Sequence, residues 1–190
     1  MTADILYISD WTENDIDRIV TVIKEDKVVI MPCDTICGFI AKRSQENRVR
    51  QIKHRDTKPF LYLISDLAQL CCFDIDYNAY SDILKKNWPD NITFIMANRS
   101  KTATFGVRMP NHAILQRIIR SVGEPVLSTS VNVSGQHALN DFSTIVTQFG
   151  DEVDLIVDDE HFVPTSASTI ADLTCGEPKI IRQGGKTLVL

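Results

Sequence analysis

Short apolar runs alternate with amphipathic stretches along the whole chain. Ile16, Ile19, Val20 and Ile23 fall at i, i+3, i+4 and i+7, so the spacing predicts a helix over Glu13–Glu25 with one buried stripe. Thr12 stands where a side-chain cap is needed, and acids crowd the first turn, where the helix dipole favours them. Val28–Met31 is a continuous apolar run closed by Pro32 and reads as a buried strand. Ile36–Ala41 reads as a second strand after a tight turn at Pro32–Thr35. A mostly exposed helix over Gln45–His54 follows, with Ser44 as its expected cap and only Val49 and Ile52 to bury. Phe60–Ile64 is the next buried strand.

The second half repeats the alternation. Asp66–Leu70 predicts a short helix and Tyr77–Lys86 a longer one; Ile92–Met96 and Phe105–Met109 predict strands. Ile114, Leu115, Ile118, Ile119 and Val122 form the best helical stripe in the chain, and Gly123 supplies a stop. Val126–Thr129 is a strand that runs into the polar loop Ser130–Gln136. Phe142, Ile145, Val146 and Phe149 mark a helix ended by Gly150, and Leu155–Val157, Ser168–Leu173 and Lys179–Arg182 are the closing strands. About nine strands with helices spaced irregularly between them predict an α/β fold built on a mixed sheet rather than a strict βαβ repeat. With 190 residues and no linker or repeat, the chain is expected to form a single domain over 1–190.

Composition narrows the classes. No apolar run is long enough to span a bilayer. The first ten residues lack the basic and apolar regions of a secretory signal. Five cysteines without a C-x-x-C pair, and four scattered histidines, predict reduced thiols in a cytoplasmic protein and no structural metal site. A net charge of −5 disfavours nucleic-acid binding by bulk electrostatics. Yet seven Lys or Arg against two acids lie between Lys42 and Lys58. Such a concentration suggests one place for an anionic ligand, although a charge run is also the mark of a solvated helix face.

No phosphate-binding G-x-x-x-x-G-K-[ST] or G-x-G-x-x-G is present, so a nucleotide must be held by other means. Four places carry the needed groups. Lys53, Arg55 and Lys58 cluster around a helix end before a buried strand. They can clamp phosphate oxygens, or simply answer the helix dipole. Ser128, Thr129, Ser130, Asn132 and Ser134 follow directly on a strand and can bond phosphate or ribose, or make a turn. Pro32-Cys33-Asp34-Thr35 puts a carboxylate and a hydroxyl at a strand end. Ser168–Asp172, with Ile180–Gly184 after it, offers Arg182 as a further anion contact.

In this order the pieces resemble the YrdC-like family of threonylcarbamoyl-AMP synthases, over about Ile16–Gly184. Pro32-Cys33-Asp34-Thr35 is similar to the family's Pro-Thr-[Asp/Glu]-Thr, Lys53-His54-Arg55 to its K-x-R, and Ser130-Val131-Asn132 with Ser134-Gly135 to its S-x-N and Ser-Gly turn. Trp88-Pro89 with Thr93-Phe94 resembles W-P-G-P-x-T-F, and Val107-Arg108-Met109-Pro110 resembles V-R-x-P. Ser168-Thr169-Ile170 with Asp172-Leu173 resembles S-T-[VI]-[IV]-D-L, and Ile181-Arg182-Gln183-Gly184 the closing L-R-x-G.

The resemblance implies a twisted mixed sheet around a concave, positively charged cavity. It implies an ATP-dependent nucleotidyltransferase that makes threonylcarbamoyl-adenylate and pyrophosphate from L-threonine, bicarbonate and ATP, with a divalent cation, Mg²⁺, accompanying the ATP. The product would pass to a transferase that modifies adenosine 37 of tRNA. Lys53 and Arg55 would be catalytic and Thr35 would contact threonine, with Lys58 a further substrate contact. Ser130, Asn132, Ser168, Arg182 and Arg108 would hold the nucleotide. Cys33 stands where the family has Thr or Ser, Cys37-Gly38 where it has Tyr-Gly, and Trp88-Pro89-Asp90-Asn91 lacks a glycine and a proline at a turn. The extra C-terminal domain of longer relatives is expected to be absent. Some flanking stretches are closer to the YciO branch, which tends to lose K-x-R and S-x-N; both are intact here. A YciO-like paralogue, or an RNA-binding or ribosome-associated module that takes tRNA or other RNA, double-stranded RNA included, with the same basic cavity, are the alternatives. Arg55→Ala and Lys53→Ala are expected to lose synthesis with little loss of stability, as exposed cations contribute little to folding.

Overall fold

The computed structural model describes residues 2–55 and 57–190. Its frame is one ten-stranded mixed sheet. The strands are β1 (Asp4–Ile8), β2 (Val29–Met31), β3 (Gly38–Lys42), β4 (Leu61–Leu63), β5 (Ile92–Ala97), β6 (Thr104–Arg108), β7 (Val126–Ser130), β8 (Leu155–Asp159), β9 (Thr169–Asp172) and β10 (Lys179–Arg182). They lie in the order β1-β8-β2-β3-β7-β4-β6-β5-β9-β10. Parallel pairs (β1 with β8, β2 with β8, β4 with β6, β5 with β9) are mixed with antiparallel ones (β2 with β3, β3 with β7, β4 with β7, β5 with β6, β9 with β10). The mixed sheet expected from the irregular spacing of helices is therefore present.

Strand alternation divides the core between the two faces. Val28, Ile30, Phe39, Ala41, Tyr62 and Ile64 belong to one apolar cluster. Val29, Met31, Ile40, Leu63 and Val126 belong to the other. Two helices, α1 (Glu13–Lys24) and α4 (Ala113–Val122), pack on each other and give their stripes to the second cluster. Leu84 of α3 (Ser81–Asn87), Val49 and Ile52 of α2 (Glu46–Ile52), and Ile145 and Phe149 of α5 (Phe142–Phe149) join the first. Thr12 caps α1 in a capping box with Asp15, and Gly123 ends α4 with φ +90°.

The structure departs from the sequence expectations at four places. It has an N-terminal strand, β1, that the expected elements lack, although Leu6 and Ile8 are buried and Tyr7 between them is exposed. Ser44 does not cap α2: the chain first makes a 3-10 turn over Arg43–Gln45, and the Ser44 hydroxyl donates to Asp26. The stretch from Tyr77 is a 3-10 turn over Tyr77–Tyr80 before α3, and Asp66 caps a 3-10 segment over Leu67–Phe73. No helix among the described residues is long and apolar enough to cross a membrane.

Candidate active site

A cavity of about 560 Å³ opens over the central strands, a size suited to a small-molecule ligand. Its described lining includes Thr35, Arg55, Arg108, Ser130, Asn132, Ser168 and Arg182. Three arginines and no carboxylate are among the described lining residues.

The K-x-R stretch works by a reversal at the end of α2. Arg55 N donates to Arg50 O at 2.9 Å, and His54 N to Gln51 O at 3.0 Å. His54 takes the left-handed conformation, φ +47°. That six-residue closure is the usual way to stop a helix, here with histidine in place of glycine. It sends the flanking side chains to different places. Arg55 reaches the cavity wall and donates to Thr129 Oγ1 at 3.3 Å and to the carbonyls of Lys58 (3.2 Å) and Pro59 (2.6 Å). Its guanidinium lies 4.7 Å from the centre of the Phe60 ring.

Lys53 goes beneath the floor. It is 1% exposed and is not among the cavity-lining residues. Its ammonium donates to Ser130 O, to Asn132 O at 2.8 Å and to Asn132 Oδ1 at 2.8 Å, while its own carbonyl accepts from Ser134 N at 2.8 Å. It also sits 5.2 Å from the Phe39 ring centre. Lys53 thus bolts the Ser130–Ser134 turn to the end of α2, and the expectation of an exposed cation there is overturned. Burial first, then the Arg55 charge, pull its pKa down to about 7. The three oxygens oppose this, because a neutral amine has only two protons to donate.

Asn132 completes the turn. Its Oδ1 also accepts from Ser130 Oγ at 2.6 Å, and its Nδ2 donates to Gln136 O at 2.7 Å. K-x-R and S-x-N therefore meet in one network across nearly eighty residues of sequence. Thr35 lines the opposite side; its carbonyl accepts from Thr165 N at 2.6 Å, so the β8–β9 connection straps over it.

The far wall belongs to Arg182 and Arg108. A register shift between Ile180 and Arg182 bends β10, and Arg182 donates through Nη2 and Nε to Ser168 O at 2.8 and 3.1 Å. Ser168 Oγ pairs with Thr93 Oγ1 at 2.9 Å. Arg108 reaches back to Asp34 Oδ1 at 2.8 Å. Lys58 is exposed and its side chain is not brought into the cavity; only its carbonyl serves the site, as an acceptor for Arg55 and Arg50. The structure adds Thr93, Thr129, Cys33 and Cys37 to the lining. All four lie inside stretches quoted from the sequence, but which side chains of those stretches face the cavity was not readable there. Burial keeps both thiols protonated, with Cys37 pushed up to about 12 and Cys33 higher. The turn that lacks a glycine and a proline is still tied down, by Asp90 N to Met109 O at 3.0 Å and Trp88 Nε1 to Ile92 O at 2.6 Å.

Among the described residues, three of the seven cations in the basic stretch 42–58 are paired with acids, two of them with acids from elsewhere in the chain. Lys42 faces Asp26 and Glu124, Arg48 pairs with Asp154 at 2.6 Å and Arg50 with Glu46 at 2.6 Å. Arg43 lies over the Phe73 and Phe105 rings.

Comparison with known proteins agrees with this fold. The Sua5_yciO_yrdC family model, described as telomere recombination, matches residues 21–184. An uncharacterised protein YciO of Escherichia coli is 28% identical over 89% of this chain and 88% of its own length. A threonylcarbamoyl-AMP synthase of Pseudoalteromonas translucida is 28% identical over 83% of this chain and 92% of its own. Among solved structures, Pyrococcus abyssi Sua5 complexed with L-threonine superimposes with a TM-score of 0.85 at 25% identity, over 96% of this chain and 58% of that one. Escherichia coli YciO does so with a TM-score of 0.83 at 26% identity, over 97% of both chains.

Proposed function

This chain belongs to the Sua5/YciO/YrdC family, and from that premise we propose that it is a threonylcarbamoyl-AMP synthase acting on L-threonine, bicarbonate and ATP. The observation that carries the reading is the convergence of Arg55, Arg108 and Arg182 with the Ser130–Asn132 turn in one cavity without a described carboxylate. Three permanent cations there suit a polyanion.

The chemistry asks little of the protein beyond placement. The threonine amine adds to the carbon of bicarbonate, and loss of water gives a carbamate. A carbamate oxygen then attacks the α-phosphorus of ATP, and the bond to the β-phosphate oxygen breaks to release pyrophosphate. Two anions must be held close while negative charge builds on the leaving group, so fixed cations and orientation supply the main rate gain. Arg55 would neutralise the meeting carbamate and phosphate. Ser130 and Asn132, held by Lys53, would bond the nucleotide, with Ser168, Arg182 and Arg108 opposite them. Thr35 would receive threonine. With no described carboxylate in the lining to ligate it, Mg²⁺ would enter on the phosphates as MgATP. The product would leave for a transferase that modifies tRNA.

The test is pyrophosphate release by the pure protein. Release that requires ATP, bicarbonate and threonine together supports the reading; threonine-independent release points to a YciO-like paralogue, a reading favoured by the similarity to Escherichia coli YciO over nearly the full length of both chains. No release under any combination rejects the synthase reading.

A further inference from the structure

The Asp34–Arg108 pair is built in a way that folding alone does not explain. The two side chains are 4% and 3% exposed and meet through a single contact, Arg108 Nη2 to Asp34 Oδ1 at 2.8 Å. Asp34 Oδ2 and Arg108 Nε are buried and find no partner among the described residues. A guanidinium and a carboxylate left to themselves join by two parallel bonds, which would use both atoms. A one-pronged buried ion pair bears the desolvation of two charges without recovering the best attraction. Something other than their mutual fit therefore sets the angle of Arg108.

That angle serves the cavity. Arg108 ends β6 and lines the hollow, whereas Asp34 is not among the lining residues although Cys33 and Thr35 on either side of it are. Asp34 thus contacts Arg108 from behind. Its turn is fixed in turn by the β8–β9 strap, where Thr165 donates to Thr35 O through its backbone and lies 3.4 Å from Asp34 O through its hydroxyl. On the cavity side stands Arg182, whose pKa is lowered by burial and by the Arg108 charge. Two neighbouring guanidiniums repel each other in a hollow of low dielectric, and each would swing away without a counter-charge.

We propose that Asp34 is a positioning residue, holding Arg108 turned into the cavity beside Arg182 so that the two grip the phosphate end of ATP as a pair. The assignment rests on the nucleotide part of the function proposed above. It gives the carboxylate of the Pro-Cys-Asp-Thr turn a task that requires no contact with substrate.

Calorimetric titration with ATP tests it through a double-mutant cycle, with melting curves to match the folding of every variant. Asp34→Asn is expected to weaken ATP binding about tenfold, to have no further effect in an Arg108→Met background, and to add independently to Arg55→Ala. Asp34→Glu keeps the charge and is expected to restore affinity to within about threefold of the wild type. If Asp34→Asn does not fold, Asp34→Ser takes its place in the cycle. Wild-type affinity in the neutral variant, an equal loss with and without Arg108, or a loss in Asp34→Glu as deep as that in Asp34→Asn overturns the assignment. A wild-type protein that binds ATP yet releases no pyrophosphate removes the synthase reading and leaves this one standing on the cycle; a wild-type protein that does not bind ATP removes this one as well.

Discussion

Lys53 and Arg55 look equivalent in the sequence and are opposites in the structure. Arg55 is half-buried at the cavity wall and bonds mainly to loop carbonyls. Arg55→Ala is expected to abolish at least about 99% of synthesis while lowering stability by about 1 kcal/mol, the worth of a few partly exposed hydrogen bonds. Lys53→Met is expected to be costly to both: it takes the ammonium donor from two backbone carbonyls and leaves the Asn132 amide oxygen with Ser130 Oγ, a loss of about 2–4 kcal/mol read as a lower denaturation midpoint. The sign of its pH dependence follows from burial. The folded pKa lies near 7, below the usual lysine value of 10.5, so the charged form is disfavoured by folding. Between these values the unfolded chain keeps a proton that the folded one sheds, so stability from this group rises with pH above about 7. Denaturation midpoints from pH 6 to 9 should rise in the wild type relative to Lys53→Met. A constant difference would mean that the three oxygens fully repay the buried charge. None of this was legible from K-x-R itself, because the acceptors that draw Lys53 inward lie near position 132.

At the scale of elements, local rules succeeded where the deciding partners were near in sequence. Thr12 with Asp15, and Gly123 after the α4 stripe, are contained within one or two turns. Ser44 failed as a cap because its hydroxyl found Asp26, across the structure, and the helix began after a 3-10 turn. The strand β1 carried its signal, Leu6 and Ile8 flanking Tyr7, but so short an edge strand is fixed by its partner β8 as much as by its own pattern. The closing glycine motif gains a physical meaning. A Cβ on Gly184 would lie 2.1 Å from Ala167 O and 2.5 Å from Thr169 N. The segment after β10 can therefore press on the start of β9, where Gly184 N donates to Thr169 Oγ1 at 2.9 Å. Gly184→Ala is expected to cost about 2 kcal/mol by overpacking and to pull Arg182 away from Ser168. A lower melting temperature together with weaker ATP binding checks it; an unchanged melting temperature contradicts it.

Over the whole molecule, charge is arranged against its distribution in the sequence. Lys42, Arg48 and Arg50 of the stretch 42–58 are met by Asp26, Glu46, Glu124 and Asp154, so part of the apparent patch becomes a set of ties, while Arg55 lines the cavity with Arg108 and Arg182. A protein that clamps several RNA phosphates shows affinity falling steeply with salt. Anisotropy with labelled tRNA is expected to show weak binding even at low ionic strength; tight, steeply salt-dependent binding would revive the RNA-binding alternative. The family and the mixed sheet were readable from ordered motifs and strand-length runs, whereas the inward turn of the charge needed coordinates.

The five thiols fall into two sets, and this makes the protein its own reporter. Cys71, Cys72 and Cys175 are exposed, while Cys33 and Cys37 sit sheltered at the cavity floor. An alkylating reagent needs both access and a thiolate. Brief treatment with iodoacetamide, read by peptide mass, should label the outer three and spare the inner two until denaturant opens the chain. The two inner masses then time the opening of the cavity floor without any dye or engineered probe.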